Sequence, residues 1–273
     1  MKAGKSHWSL DLYTWKARFC PTVIVALPVA LGIFSWFPQN IALWGALAGG
    51  LLSAGLAGLL AEVGRDQGKA KEPVLFAMWG GKPSTIILSY RRSWLNSITL
   101  RRYHEVLQRV IPGVSIPNSQ EEADNPQAAD AQYESCVDYL REATRDRRKY
   151  PLVFAELASY GFRRNLWAMK PVGIALALLG TVACTASFAW GVITERQEPQ
   201  IPLASGVFCA VLTTFWFLRF KPSWIRLAAV AYAERLLASC ETITSSNLKM
   251  LPGPTKSALA SRFDRSNREG GQT

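Results

Sequence analysis

Metal-binding and catalytic signatures are missing from this chain. Five cysteines (Cys20, Cys136, Cys184, Cys209, Cys240) show no C-x-x-C spacing, and His7 and His104 are the only imidazoles. Structural zinc sites and disulfide frameworks need closely spaced or paired ligands, so neither a metal nor a cofactor is expected. G-x-S-x-G and H-E-x-x-H are absent as well. Gly81-Lys82 lacks the glycine that a phosphate-binding loop carries five positions earlier, and reads as part of a turn. His104 beside Glu105 reads as a helix-surface pair and not as a catalytic dyad. A non-enzymatic role is the expectation.

A further absence concerns charge. Four apolar runs, Pro21 to Phe37, Ile41 to Ala61, Pro171 to Ile193 and Ile201 to Leu218, contain no Asp, Glu, Lys, Arg or His. Each is close to the roughly 20 residues that cross a hydrocarbon core about 30 Å thick. Core helices of water-soluble proteins carry polar positions on one face, and these runs do not. Proton relays and ion-coupled transporters place ionisable groups inside their spans, so uncharged runs argue against both. Hydroxyls at Thr181, Thr185, Ser187, Thr213 and Thr214 leave a polar-lined pore open, although such groups also bond to their own helix.

What is present fits a chain divided into very apolar and very polar blocks: 49% hydrophobic residues alongside 19% charged. Lys and Arg number 31 against 20 acidic residues, a net charge of +11. In a water-soluble protein that excess would point to nucleic acid. Here the basic residues collect beside the apolar runs, which points to the cytoplasmic flanks of membrane spans. The first run has the basic leader of a secretory signal, but no small-x-small cleavage pattern follows it, so it reads as an anchor.

Orientation follows from the flanks. Pro38-Gln39-Asn40 carries no charge, and Thr194 to Gln200 carries Glu195, Arg196 and Glu198. The opposite ends carry Lys16 and Arg18; Arg65, Lys69 and Lys71; Arg163, Arg164 and Lys170; and Arg219, Lys221 and Arg226. The positive-inside bias has one sign at all four runs. Both hairpins therefore point the same way, each opened by a proline (Pro21, Pro171), as in a parallel repeat. Small residues Gly45, Gly49, Ser53 and Ala57 form a stripe on the second run, suited to close helix packing within the chain or, in a homo-oligomer, between subunits.

The cytoplasmic segment is read as mostly helical. Val74 to Trp79 and Thr85 to Tyr90, around Gly80-Gly81-Lys82-Pro83-Ser84, predict a short β-hairpin. Thr99 to Val110 predicts a helix, Ser119 with Glu122 a capping box, and Pro126 to about Lys149 a long helix. Leu152 to Met169 and Ser223 to about Thr242 predict two more. Arg91, Arg92, Arg101 and Arg102, with Tyr103 and His104 interleaved, are candidates for holding an anionic ligand or a partner. Arg163, Arg164 and Lys170 are candidates for lipid headgroups.

The strings Trp79-Gly80-Gly81-Lys82-Pro83, Arg102-Tyr103-His104 and Tyr160-Gly161-Phe162-Arg163-Arg164-Asn165 resemble a group of uncharacterised bacterial inner-membrane proteins with the same two-plus-two span layout. More loosely, two hairpins around a cytoplasmic segment are similar to the four-span effectors of bacterial anti-phage nucleotide-signalling systems. The first resemblance implies a multi-pass bacterial inner-membrane protein and brings no activity or site residues.

The expected fold is thus mainly α. It comprises a basic cytoplasmic lead-in (1–20), a transmembrane hairpin (21–63), a cytoplasmic segment (64–170), a second hairpin (171–218), a cytoplasmic helix (219–251) and a disordered tail (252–273). The expected function is a membrane-anchored sensor or interaction module, whose partners are the bilayer and a cytoplasmic protein or anionic ligand, with nucleic acid disfavoured. The alternative is a stimulus-gated pore or membrane-disrupting effector.

Overall fold

The computed structural model describes residues 15–40, 45, 56–195 and 199–250. Among these the chain is all helix: a π-turn Trp15–Phe19, then α1 (Cys20–Trp36), α2 (Leu56–Ala70), α3 (Glu72–Trp79), α4 (Pro83–Leu88), α5 (Ser97–Val110), α6 (Ser119–Asp124), α7 (Pro126–Ala143), α8 (Pro151–Ala168), α9 (Lys170–Ile193), α10 (Gln200–Arg219) and α11 (Pro222–Met250). Proline lies in the first turn of α1, α3, α7, α8 and α9, where its missing N–H leaves no helical bond unmade. The tail from Pro252 and most of the run from Ile41 to Ala61, including Gly49 and Ser53, lie outside the described residues.

The expected β-hairpin is corrected: both of its arms are helical. Glu72-Pro73 opens α3, and Gly80, at φ +78°, closes it in the left-handed conformation that glycine adopts without steric cost. In α4, Thr85, Ile86 and Ile87 are β-branched, yet Thr85, Ile86, Ile87 and Leu88 are all buried. Packing outweighs a β propensity worth only about 1 kcal/mol.

The chain divides into two compact units, Met1–Ile87 with Asp146–Arg235, and Leu88–Arg145 with Leu236–Thr273. The first contains α9 and α10, both long and apolar enough to cross a membrane, and the apolar α1 of 17 residues. Only 28% of the apolar stretch in α9 and in α10 is buried within the protein. Leu179, Val182, Val192, Val207, Val211 and Leu218 are among the side chains they expose. A core helix of a water-soluble domain would hide that surface.

Small residues set the packing of these helices. A Cβ on Gly180 would lie 2.5 Å from the Pro28 carbonyl oxygen, and one on Gly32 would lie 3.3 Å from the Ala183 Cβ. Further along, the Ser187 hydroxyl donates to the Ser35 carbonyl at 2.7 Å. Residue numbers rise together on the two helices, so α1 and α9 run parallel. α10 runs antiparallel to α9: Trp216 lies against Gly173, and Cys184 against Gly206.

Both ends of the first apolar stretch return to one level. The Asn165 amide donates to the Ala17 carbonyl at 2.9 Å, ahead of α1. Gly68 of α2 lies against the same Asn165, and Gly64 against Met169, where α8 gives way to α9. The chain thus leaves Ala17, follows α9 as far as Ser187, and is back beside α8 by Gly64.

In the second unit, α5 starts from Asn96, whose side chain accepts from the Thr99 N–H at 2.8 Å. The capping box falls one residue earlier than expected, on Asn118 and Glu121, because asparagine caps as well as serine does. α7 ends at Ala143, short of Lys149, with Ala129, Tyr133, Cys136, Val137 and Leu140 buried.

Candidate functional site

Glu122 is the residue around which the second unit is organised. The one-residue shift of the cap frees it from the capping role and turns it inward, where it is wholly buried. Its carboxylate accepts from the Ser89 hydroxyl, from the Tyr90 N–H at 2.7 Å, from Arg91 Nε at 3.0 Å and from the Tyr133 hydroxyl at 2.9 Å. The segment after α4 has left the helix, so its N–H groups need other acceptors. Glu122 supplies one from another helix. Burial alone would raise its carboxyl; these hydrogen bonds reverse the effect and hold it at about 2.

His104 extends the same network. One ring nitrogen, Nε2, lies 2.8 Å from the Leu88 carbonyl and donates to it; Nδ1 lies 3.0 Å from the Tyr90 hydroxyl and accepts from it. The ring stacks on Tyr133 at 5.8 Å. Burial lowers its pKa and keeps the imidazole neutral. The expected helix-surface pair with Glu105 is therefore corrected: His104 is 4% exposed and faces the core. Burial and the neighbouring carboxylate push the Tyr133 phenol far upward, so it acts as a donor throughout the physiological range.

Three of the four arginines proposed from sequence as ligand contacts are paired with the unit's own carboxylates. Arg91 pairs with Glu122, Arg92 with Asp130, and Arg102 with Glu241 at 2.7 Å. Arg101 is exposed and close enough to Tyr90 to act on it electrostatically, and Tyr103 is buried. The geometry therefore brings Arg91, Arg92 and His104 together around the Ser89–Arg92 turn, as a clamp on that turn. Arg102 belongs to a separate ion pair. Two large apolar side chains near them in sequence also stay on the surface: Trp94 is 43% exposed and Ile98 77%.

A second polar cluster lies in the first unit, just ahead of α9. Arg164 was expected at lipid headgroups, but it is 9% exposed and donates to Glu72 at 2.6 Å. Glu72 also accepts from the Tyr160 hydroxyl at 2.7 Å. Arg163 donates to the Trp224 carbonyl at 2.9 Å and lies over the Trp224 ring. Lys170 donates to the Phe220 carbonyl at 3.1 Å, just beyond the end of α10. Of the small-residue stripe, Gly45 is exposed and a Cβ there would meet nothing within 4 Å.

Sequence reading missed Glu122, Ser89 and Tyr133, and in the first unit Glu72, Tyr160 and Asn165. Glu122 sits in a polar stretch where a cap is the ordinary explanation, and no spacing rule links it to Ser89 or Tyr133. Among the described residues, no three His, Cys, Asp or Glu side chains converge on a metal site. Compared with known proteins, the chain matches no family model, no curated protein and no solved structure.

Proposed function

We propose that this chain is a membrane-anchored, non-enzymatic interaction module: two transmembrane hairpins hold a helical cytoplasmic unit that recruits a protein partner. Four spans are supported by the course of the chain. If α9 crosses the bilayer, α1, which follows it in parallel to Ser187, crosses too. That Gly64 and Gly68 are again beside Met169 and Asn165 supports a return crossing ahead of them. The basic flanks at this end support a cytoplasmic location for the second unit and both termini, in an inner membrane of bacterial type.

One observation carries the functional reading. Trp94 and Ile98, four residues apart, are exposed on a unit in which Arg91, Arg92 and Arg102 are engaged by its own carboxylates. Exposed tryptophan flanked by arginine is the composition of a protein-recognition surface. A small anion would instead need uncommitted donors converging on one point. The Thr181, Thr185, Thr213 and Thr214 hydroxyls donate to carbonyls of their own helices, which weakens the pore reading.

The test is a photo-crosslinking residue at position 98 in native membranes, with position 141 on exposed α7 as control. A discrete adduct at 98, absent at 141 and lost with Trp94→Ala, is expected. No adduct, together with loss of membrane potential on expression, would favour the pore or membrane-disrupting effector.

A further inference from the structure

We infer that α3 is an interfacial helix whose outer face, Pro73, Val74, Ala77 and Met78, lies in the cytoplasmic leaflet of the bilayer. The inference rests on the membrane-anchored reading and adds a lipid contact in a segment outside the four spans.

The composition of α3 carries the first part of the case. Its sequence is Glu-Pro-Val-Leu-Phe-Ala-Met-Trp, with no charge after Glu72, and the Glu72 carboxylate is taken up by Arg164 and Tyr160. One face is buried against protein: Leu75 and Trp79 cluster with Tyr160, Ile225, Ala228 and Ala229. The opposite face is apolar too, yet uncovered, with Val74 49% and Met78 59% exposed. A surface helix facing water carries polar residues on that side. One that is apolar all round has a second apolar neighbour.

The position of α3 identifies that neighbour as lipid. Lys71, immediately before α3, donates to the Ala168 carbonyl at 2.8 Å, two residues before α9 begins. Its ammonium also lies 5.8 Å from the centre of the Trp167 ring. Trp167 and Trp224 pack against the cluster that holds α3, and Trp224 follows α10 closely in sequence. Arg163 and Arg219 both lie over the Trp224 ring, at 5.0 and 4.9 Å. Tryptophans with basic residues at the ends of apolar helices mark headgroup depth. A short apolar helix at that depth has the setting of an interfacial helix, whose buried face reaches roughly 5–10 Å into the headgroup–acyl boundary. Exposed apolar side chains of α9 and α10, Val182 and Val211 among them, need the same solvent.

The test is lipid quenching on the full chain in vesicles. Single cysteines at 74, 78, 182 and 152, in a Cys20→Ala background, carry an environment-sensitive dye. Lipids bear a nitroxide either near the headgroup or deep in the acyl chain. Positions 74 and 78 should emit to the blue and be quenched at least twofold more by the shallow nitroxide than by the deep one. Position 182, on exposed α9, should show the reverse preference. Position 152, exposed and apolar but at the far end of α8, should be quenched by neither. Quenching at 182 without quenching at 74 and 78 overturns the α3 assignment alone, and a blue-shifted, unquenched 78 does so in favour of a protein cover. Loss of quenching at 182 as well overturns the membrane reading on which it rests.

Discussion

Replacing Glu122 by glutamine keeps the shape of the side chain and removes its charge, which isolates what the carboxylate does. A carboxyl held at about 2, against an ordinary 4.5, contributes about 3 kcal/mol to the folded second unit at neutral pH. Counting the individual bonds gives a similar figure. One carboxylate oxygen accepts from the Tyr90 N–H and the Tyr133 hydroxyl, and the other from Ser89 and Arg91. An amide nitrogen in the first position leaves the Tyr90 N–H facing another donor, worth about 1–3 kcal/mol, and the charge on the Arg91 bond is lost besides. The assay is hydrogen exchange of the full chain in detergent, followed at the slowest amides of α5 and α7. At neutral pH, Glu122→Gln should speed those amides on the order of a hundredfold, since about 1.4 kcal/mol is a factor of ten. The sign with pH is fixed by the depressed pKa. The contribution is complete above the ordinary carboxylate range and disappears as pH falls from about 5 toward 2. The two proteins should therefore converge in acid. Rates within twofold of each other at pH 7 would show that Glu122 is not the residue on which the unit depends.

Three further outcomes follow from other residues. His104 is held neutral by burial, so its folded pKa lies below that of the unfolded chain; acidification from pH 7 to 5 should destabilise the second unit, and His104→Gln should flatten that dependence in thermal melts. Gly180→Ala places a Cβ against the Pro28 backbone, which cannot rotate away as a side chain can, and should cost about 1–3 kcal/mol in melting of the detergent-solubilised protein. Arg164→Ala leaves Glu72 without its cation and should cost about 2–3 kcal/mol, below the range for fully buried pairs because Glu72 is partly exposed; Arg163→Ala should cost less than half as much in the same melts.

The parts of the fold that could be read from the sequence are those set by composition. α9 and α10 follow from uncharged runs whose length and composition suit a helix that crosses a membrane. The parallel course of α1 and α9 was foreshadowed by Pro21 and Pro171, each opening an apolar run. α3 and α4 were misread because five or six apolar residues do not reveal their period, and Ile86 and Ile87 favour strands on propensity alone. The better guides were Pro73 and Pro83 at the starts and Gly80 at the stop. Of the candidate arginines, the sequence revealed position but not direction. Arg163 and Arg164 are adjacent, and the turn of a helix by about 100° per residue sends one to Trp224 and the other to Glu72. Glu122 was illegible for a related reason: its partners lie on the Ser89–Arg91 turn and on α7, and only tertiary packing brings them together.

Everything proposed for this chain depends on its crossing the bilayer as two hairpins with their tips outside. Single cysteines at Gln39, in the first turn, at Glu195, in the second, and at Asn118, ahead of α6, address that directly in a Cys20→Ala background. Intact cells are exposed to a membrane-impermeant maleimide, and the same cells are labelled again after permeabilisation. The two-hairpin arrangement predicts labelling at 39 and 195 in intact cells, and at 118 only after permeabilisation. Labelling at 118 in intact cells, or protection of 39 while 195 is labelled, would contradict it.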